Sequence, residues 1–386
     1  MTNFTQSRLK YICTSYNSNI STDKLKECGE YPVFGAAGVM GYSDNFRNTC
    51  EYLGIIKDGA GIGRINLYPA KSSLLGTMAY ILPNKDIDIC WLKYCIVSLN
   101  LEVSLDKTTI PHIYFSEYGN KTIFCPPLEI QKSIANFLDK KCSEIDSLSA
   151  DIQSQIDVLE EYKKSIITEA VTKGLNPDVE MKDSGIEWAQ QIPKHWGIMP
   201  NKFVMRKEKV LCPKYAGEDI LSLTMNGVIV RDLDAGGKMP ASFDGYQIVK
   251  PNNLLMCLFD YDVTPRCIGL IKNHGLTSPA YSQFVMKNDN SERYYYYYYL
   301  MIDNTKELLH LAKNLRHSFT EEQLGMINTP VPPINEQISI ADHLDKIIAE
   351  TDMVIVDKKA QLETLAEYKK SLIYEYVTGK KEVSTI

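Results

Sequence analysis

The chain has 386 residues, enough for two or three domains, and its 44% hydrophobic and 23% charged residues exclude a disordered or fibrous protein. No apolar run approaches the roughly 18–20 residues that cross a bilayer, and the first residues lack the apolar core of a secretory signal. The net charge of −6 is the opposite of what a phosphate-binding surface needs, so any role on nucleic acid depends on how charge is distributed along the chain.

In chain order, residues 1–125 mix short apolar runs such as Tyr52-Leu-Gly-Ile-Ile56 with Gly and Asn turns, then a helical piece from Ile87 to Leu99. That pattern predicts a first globular domain of mixed α and β structure. Residues 126–173 read as one long helix, because Pro126-Pro127 stands before its start and no Gly or Pro follows until Gly174. Residues 174–201, with Trp188 and Trp196, read as an ordered connector. A second mixed domain is expected over 202–331, containing Asn253-Leu-Leu-Met-Cys-Leu-Phe259 and six consecutive tyrosines, Tyr294 to Tyr299. A base-stacking platform is one reading of those tyrosines. A helix points them in all directions, so core packing is the expected role. Residues 332–379 form a second long helix and 380–386 a short tail.

The two helices are a duplication. Pro126-Pro-Leu-Glu-Ile-Gln-Lys-Ser-Ile-Ala-Asn-Phe-Leu-Asp-Lys140 matches Pro332-Pro-Ile-Asn-Glu-Gln-Ile-Ser-Ile-Ala-Asp-His-Leu-Asp-Lys346 at an offset of 206, and Glu161-Tyr-Lys-Lys-Ser165 falls on Glu367-Tyr-Lys-Lys-Ser371. About half the positions from 126 to 172 are identical to their counterparts, without a gap. Leu138, Ile145, Ile152, Leu159 and Ile166 recur every seventh residue, and Ile134, Leu148 and Tyr162 lie on a neighbouring line that Lys141, Gln155 and Glu169 interrupt. This predicts a coiled-coil seam with polar faults. In the second copy Leu344, Leu365 and Leu372 keep the lattice, while it falters at Thr351 and Lys358. Ile348, Ile355 and Leu362 add a parallel stripe there, which predicts two partners for that helix. A helical hairpin packed on a globular core remains an alternative.

The order globular unit, rod, globular unit, rod predicts antiparallel rods with a pseudo-twofold axis, each of about 65–70 Å at 1.5 Å per residue. The rods (128–172 and 334–378) each hold nine acidic and five basic residues, so the remainder of the chain sums to +2. The acid sits on the rods.

Several motifs tempt. Phe34-Gly-Ala-Ala-Gly-Val-Met-Gly41 and Gly59-Ala-Gly-Ile-Gly63 lack the GxGxxG spacing before a long helix and are read as strand turns. No GxxxxGK[ST] is present. Pro177-Asp-Val-Glu-Met-Lys182 imitates an acidic-lysine nuclease set, but its carboxylates lie two residues apart in a connector. Ten cysteines form no CxxC pair and the six histidines do not cluster near them, which predicts reduced thiols in a cytoplasmic protein without a metal site. No catalytic centre is expected.

Two divergent domains, each followed by a PPLxxQxxIxxFLD-type helix ending in EYKKSxIxExVT, resemble the specificity subunit of a type I restriction–modification system. The connector Asp183-Ser-Gly-Ile-Glu-Trp188 to Pro193-Lys-His-Trp196 shares that resemblance, although no first copy of it precedes the first domain. The resemblance covers nearly the whole chain. It implies an α+β fold of two target recognition domains joined by two long antiparallel coiled-coil helices, each domain reading one half of a bipartite site on double-stranded DNA. It also implies that the helices set the spacer and dock two methyltransferase subunits, which bind S-adenosylmethionine and methylate adenine. Endonuclease and translocase subunits that use ATP and Mg would join them. This chain would be a reader and scaffold without its own cofactor, and not a membrane protein.

Arg, Lys, Asn, Thr and His on loops suit DNA contact, to phosphates ahead of bases. In the first domain the candidates are Lys57 and Arg64 at the Gly-rich turn, with Lys107, Thr108, Thr109 and His112. The repeat register carries the latter group onto Lys313, Asn314, Arg316 and His317, and Thr224, Asn226, Arg231 and Arg266 are further candidates. A coiled-coil adaptor whose domains bind proteins fits the same layout, as does a silent specificity gene.

Overall fold

A computed structural model describes residues 4–59, 61–101, 112–234, 240–312 and 317–383. The chain divides into two compact units, Met1–Ser154 with Lys358–Ile386, and Gln155–Asp357, so each unit holds a globular domain and a part of each long helix.

Unit one runs β1 (Thr5–Arg8), β2 (Cys13–Asn17), β3 (Tyr31–Gly35), β4 (Gly38–Ser43), β5 (Tyr52–Ile56), β6 (Ile65–Tyr68), β7 (Ser73–Leu74), β8 (Met78–Pro83), α1 (Ile89–Ser98), α2 (Phe115–Tyr118), β9 (Thr122–Cys125) and the 46-residue α3 (Leu128–Lys173). Its main sheet is antiparallel in the order β2-β8-β5-β6, beside a β4-β3-β7 sheet and a β1-β9 pair. Every residue of β5 is buried, as its unbroken apolar run requires of a central strand covered on both faces. Trp91, Leu92, Cys95 and Ile96 of α1 pack with Leu53, Ile55 and Ile81, and the same core takes in Leu138, Ile145 and Leu372 of the long helices. Each such side chain, when fully buried, stabilises the fold by about 1.5–3 kcal/mol.

Unit two runs β10 (Met181–Asp183), β11 (Gln191–Pro193), β12 (Gly197–Pro200), α4 (Asn201–Val204), β13 (Met205–Glu208), β14 (Leu221–Thr224), β15 (Gly227–Val230), β16 (Gln247–Val249), β17 (Leu254–Met256), β18 (Ile268–Leu270), β19 (Gly275–Thr277), β20 (Ser282–Met286), α5 (Glu292–Thr305), α6 (Glu321–Met326), β21 (Asn328–Val331) and the 44-residue α7 (Ile334–Val377). Its main sheet is β13-β20-β17-β18. The row Ser15↔Ile81↔Leu53↔Leu67 of unit one has the counterpart Lys207↔Phe284↔Leu254↔Leu270 here. The duplication therefore runs through the globular domains as well, hidden in sequence because insertions shift the offset from strand to strand.

The tyrosine run lies in α5, where Tyr294, Tyr295, Tyr297, Tyr298 and Tyr299 are buried. Four hydroxyls tie the helix to four different elements. Tyr294 donates to Val171 O (2.9 Å), Tyr295 to Pro330 O (3.1 Å) and Tyr297 to Asp345 (2.6 Å), and Tyr298 accepts from Trp188 Nε1 (2.9 Å). The run is a core hub, not a stacking surface.

The duplicated Pro-Pro-x-x-x-Gln motif has a structural reason. Gln131 is 1% exposed; its Oε1 accepts from Asp88 N at 2.8 Å and its Nε2 donates to Pro126 O at 2.8 Å. Gln337 repeats both, with Ser291 N at 2.8 Å and Pro332 O at 2.9 Å. Asp88 and Ser291 are the N-caps of α1 and α5. Each glutamine thus joins the start of a long helix to the start of its domain's own helix.

Within unit one, Phe137 packs at a tilt against Tyr376 (centroids 4.5 Å apart) and Asp146 binds Lys369 at 2.6 Å, so the helices run antiparallel. Within unit two Lys163 binds Asp352 at 2.5 Å, the same pair displaced by the 206-residue offset. Leu138, Ile145, Ile152, Leu344, Ile355 and Leu372 are buried; Leu159, Ile166, Ile348, Leu362 and Leu365 are half-buried. One expectation is corrected. Leu148 and Tyr162 are 49% and 47% exposed, because the second seam line is Cys142, Ser149, Ile156, Lys163 and Ala170. The Ile348, Ile355 and Leu362 stripe is the matching line on α7 and so belongs to this same seam, while Met353, Val354 and Val356 are exposed outside it.

Candidate nucleic-acid interface

In unit one the turn between β5 and β6 carries Gly59, Gly61 and Gly63 at φ of +83°, +81° and +82°, a conformation glycine adopts without a Cβ penalty. This is a strand turn, as its spacing predicts. It presents the exposed Arg64, whose Nε donates to Gly61 O at 3.3 Å. Lys57 and Asp58 stand at its base, paired at 2.8 Å. Ile113 N donates to Lys57 O at 3.1 Å, which brings His112 Nδ1 against the Asp58 carboxylate, and the exposed imidazole stacks on Tyr114 with centroids 5.4 Å apart. Lys57 and Tyr114 border a cavity of about 240 Å³ that also meets Ser15, Tyr16 and Asn17. Arg47 lies over the Tyr16 ring at 4.9 Å. Cations, hydroxyls, an amide and aromatic rings thus share one concave face, the set that contacts phosphates and base edges. Lys107, Thr108 and Thr109 lie outside the described residues.

In unit two the turn from Thr224 to Gly227 joins β14 and β15, with the Thr224 hydroxyl donating to Gly227 O at 3.0 Å and accepting from Asn226 N at 3.2 Å. Arg266, on the loop from β17 to β18, reaches across and donates to Met225 O at 2.9 Å. The same loop holds Asp262, which pairs with His317 Nδ1 at 2.7 Å, and that hydrogen bond holds the Asp262 carboxyl below its ordinary range. Thr224, Asn226, Arg266 and His317 are therefore connected through one loop and one hairpin tip. Arg231 is not among them: it follows the far end of β15, with its backbone N bonded to Ile220 O at 2.7 Å. Lys313, Asn314 and Arg316 lie outside the described residues.

Sequence reasoning missed Asp58 and Asp262, the acids that orient the histidines, and Tyr16, Arg47, Tyr114 and Met225. Asp58 and His112 are far apart in the chain, and only the strand pairing joins them. Among the described residues no group of three or more His, Cys, Asp or Glu side chains is arranged to hold a metal ion, and no helix is long and apolar enough to cross a membrane.

The family model described as "Type I restriction modification DNA specificity domain" matches residues 1–158 and 270–364. The chain belongs to this family, and its function is recognition of DNA sequence. The specificity subunit of the type I restriction enzyme MjaVIII from Methanocaldococcus jannaschii is 27% identical over 357 residues, covering 86% of this chain and 79% of that protein. The specificity subunit of the Escherichia coli enzyme EcoprrI is 28% identical over 122 residues, 31% of this chain and 29% of that one. A solved chain, reported under the structural basis of complex assembly and conformational transition of the type I R-M system, shares the fold with a TM-score of 0.69 at 12% identity over 98% of each chain. The hairpin β14–β15 and the β17–β18 loop fall between the two segments the family model matches.

Proposed function

We propose that each globular domain reads one half of a bipartite, asymmetric DNA site, and that the chain serves as the non-catalytic subunit of a complex that methylates adenine. The observation that carries this is the repeated sheet and clamp in both units, supporting domains that differ in their turn and loop residues: Lys57, Arg64 and His112 in one, Thr224, Asn226, Arg266 and His317 in the other. A common scaffold with unlike reading edges is what two different half-sites require.

In this reading the paired helices set the spacer between the half-sites. Half-sites approached from one side of a duplex lie about 34–36 Å apart, one turn. The acid of the helices suits partner subunits better than phosphates, so methyltransferase subunits with their S-adenosylmethionine dock there in this reading, and endonuclease subunits join them in the cytoplasm. Methylating a base inside a duplex requires flipping it into the partner's pocket. Base-resolved mapping of methyladenine in cells expressing a cognate methyltransferase subunit with and without this chain tests the reading. A bipartite motif that appears only with the chain supports it; an assembled complex that neither binds nor methylates DNA refutes it.

A further inference from the structure

Cys257 and Cys267 face each other where β17 and β18 end. Cys257 N donates to Cys267 O at 2.8 Å, continuing the register that pairs Met256 with Ile268. Directly opposed residues of an antiparallel pair have Cα atoms about 4.5–5.5 Å apart, inside the range a disulfide spans. Both residues line the same cavity, of about 20 Å³, with room for one water-sized molecule. The Lys306 ammonium lies 3.5 Å from Cys267 Sγ and also holds Asp303 at 2.7 Å and Thr264 O at 2.8 Å. Asp303 in turn accepts from Cys267 N at 2.7 Å, so both strand ends are pinned. The Cys267 side chain beside it holds the Cys257 thiol below the usual thiol range.

We propose that Cys257 and Cys267 are a peroxide-oxidisable dithiol whose disulfide alters DNA reading by unit two alone. The Cys257 thiolate attacks hydrogen peroxide, breaking the O–O bond to give a sulfenic acid and hydroxide. The Cys267 thiol then displaces that hydroxyl as water and closes the S–S bond, so the dithiol loses two electrons and two hydrogens while one peroxide becomes two waters. The loop between the two cysteines carries Arg266 and Asp262, the residues that hold Met225 at the hairpin tip and His317. The reduced thiols also lie within reach of that loop's carbonyls, Cys257 Sγ 3.2 Å from Phe259 O and Cys267 Sγ 3.6 Å from Thr264 O. Closing the S–S bond turns both sulfurs away from these two carbonyls at the base of the loop. Unit one has Ile56 and Arg64 at the equivalent pair, joined by Ile56 N to Arg64 O at 2.9 Å, and so has no such couple.

The effect on DNA rests on the half-site reading of unit two; the chemistry does not. The full-length chain is treated with hydrogen peroxide, unfolded, alkylated and mapped by mass spectrometry. The expected product is a peptide pair linking Cys257 to Cys267 that dithiothreitol releases, with the buried Cys212 still alkylated. Free, alkylated Cys257 and Cys267 after treatment that oxidises the exposed Cys28 and Cys50 would overturn the proposal. For the linked protein in its methyltransferase complex, affinity is expected to fall roughly tenfold, the size of one lost base contact, for DNA intact in the unit-two half-site. The Cys257→Ser complex is expected to be insensitive to peroxide. Linkage with unchanged affinity for that DNA would overturn the regulatory half, and loss of affinity in Cys257→Ser as well would place the oxidation elsewhere.

Discussion

Replacing Gln131 or Gln337 by leucine tests why the duplicated motif keeps a buried amide before each long helix. Gln131→Leu fills nearly the same volume but leaves Asp88 N and Pro126 O without partners, two groups bonded at 2.8 Å in a site where the side chain is 1% exposed. An orphaned buried polar group costs about 1–3 kcal/mol, so the expected destabilisation is about 2–4 kcal/mol, at the lower end because Asp88 is only partly buried. For a cooperative unit of this size that is a midpoint lower by roughly 6–12 °C. Gln337→Leu is expected to cost at least as much, since Nε2 also donates to Asn290 Oδ1 at 2.9 Å. Differential scanning calorimetry of the full chain, with hydrogen exchange at the amides of α1 and α5, reads both. Each variant should increase exchange in its own unit's helix and spare the other. A change below about 0.5 kcal/mol in both variants, the range of ordinary surface substitutions, would refute the clamp.

The Tyr94 hydroxyl donates to Asp139 at 2.6 Å as Tyr297 does to Asp345, so Tyr94→Phe and Tyr297→Phe should each cost about 1–2 kcal/mol, measured by urea denaturation. His317→Ala should let the Asp262 carboxyl rise towards its ordinary value, seen by NMR titration. Because that carboxyl is lowered in the folded state, its contribution is present at neutral pH and is lost as pH falls through the folded value, so wild type and variant should converge in stability in acid. Arg266→Ala frees Met225 O and removes a cation from the hairpin tip; a methylation assay should show weaker discrimination in one half-site only.

The 206-residue duplication, the long helices and the connector were legible because a heptad lattice and identical residues survive over dozens of positions. The second seam line was not, because its members in α3 include Ser149, Lys163 and Ala170, which no hydrophobic pattern marks; Lys163 sits there through its bond to Asp352. The kinship of the two globular domains was also hidden. Strands of three to six residues keep register and burial while exchanging side chains, as Ser15 for Lys207 or Ile81 for Phe284, and only hydrogen-bond pairing aligns them. At the interface, basic loop residues were recognisable by type, but Asp58 and Asp262 acquire meaning only once folding brings His112 and His317 to them.

Exchange of residues 1–125 for the corresponding domain of a relative with a different specificity, followed by base-resolved methyladenine mapping in cells with the methyltransferase subunit, tests the two-reader account most directly. The account predicts a new sequence in one half-site with the other half and the spacer retained. Simultaneous change of both halves would contradict it.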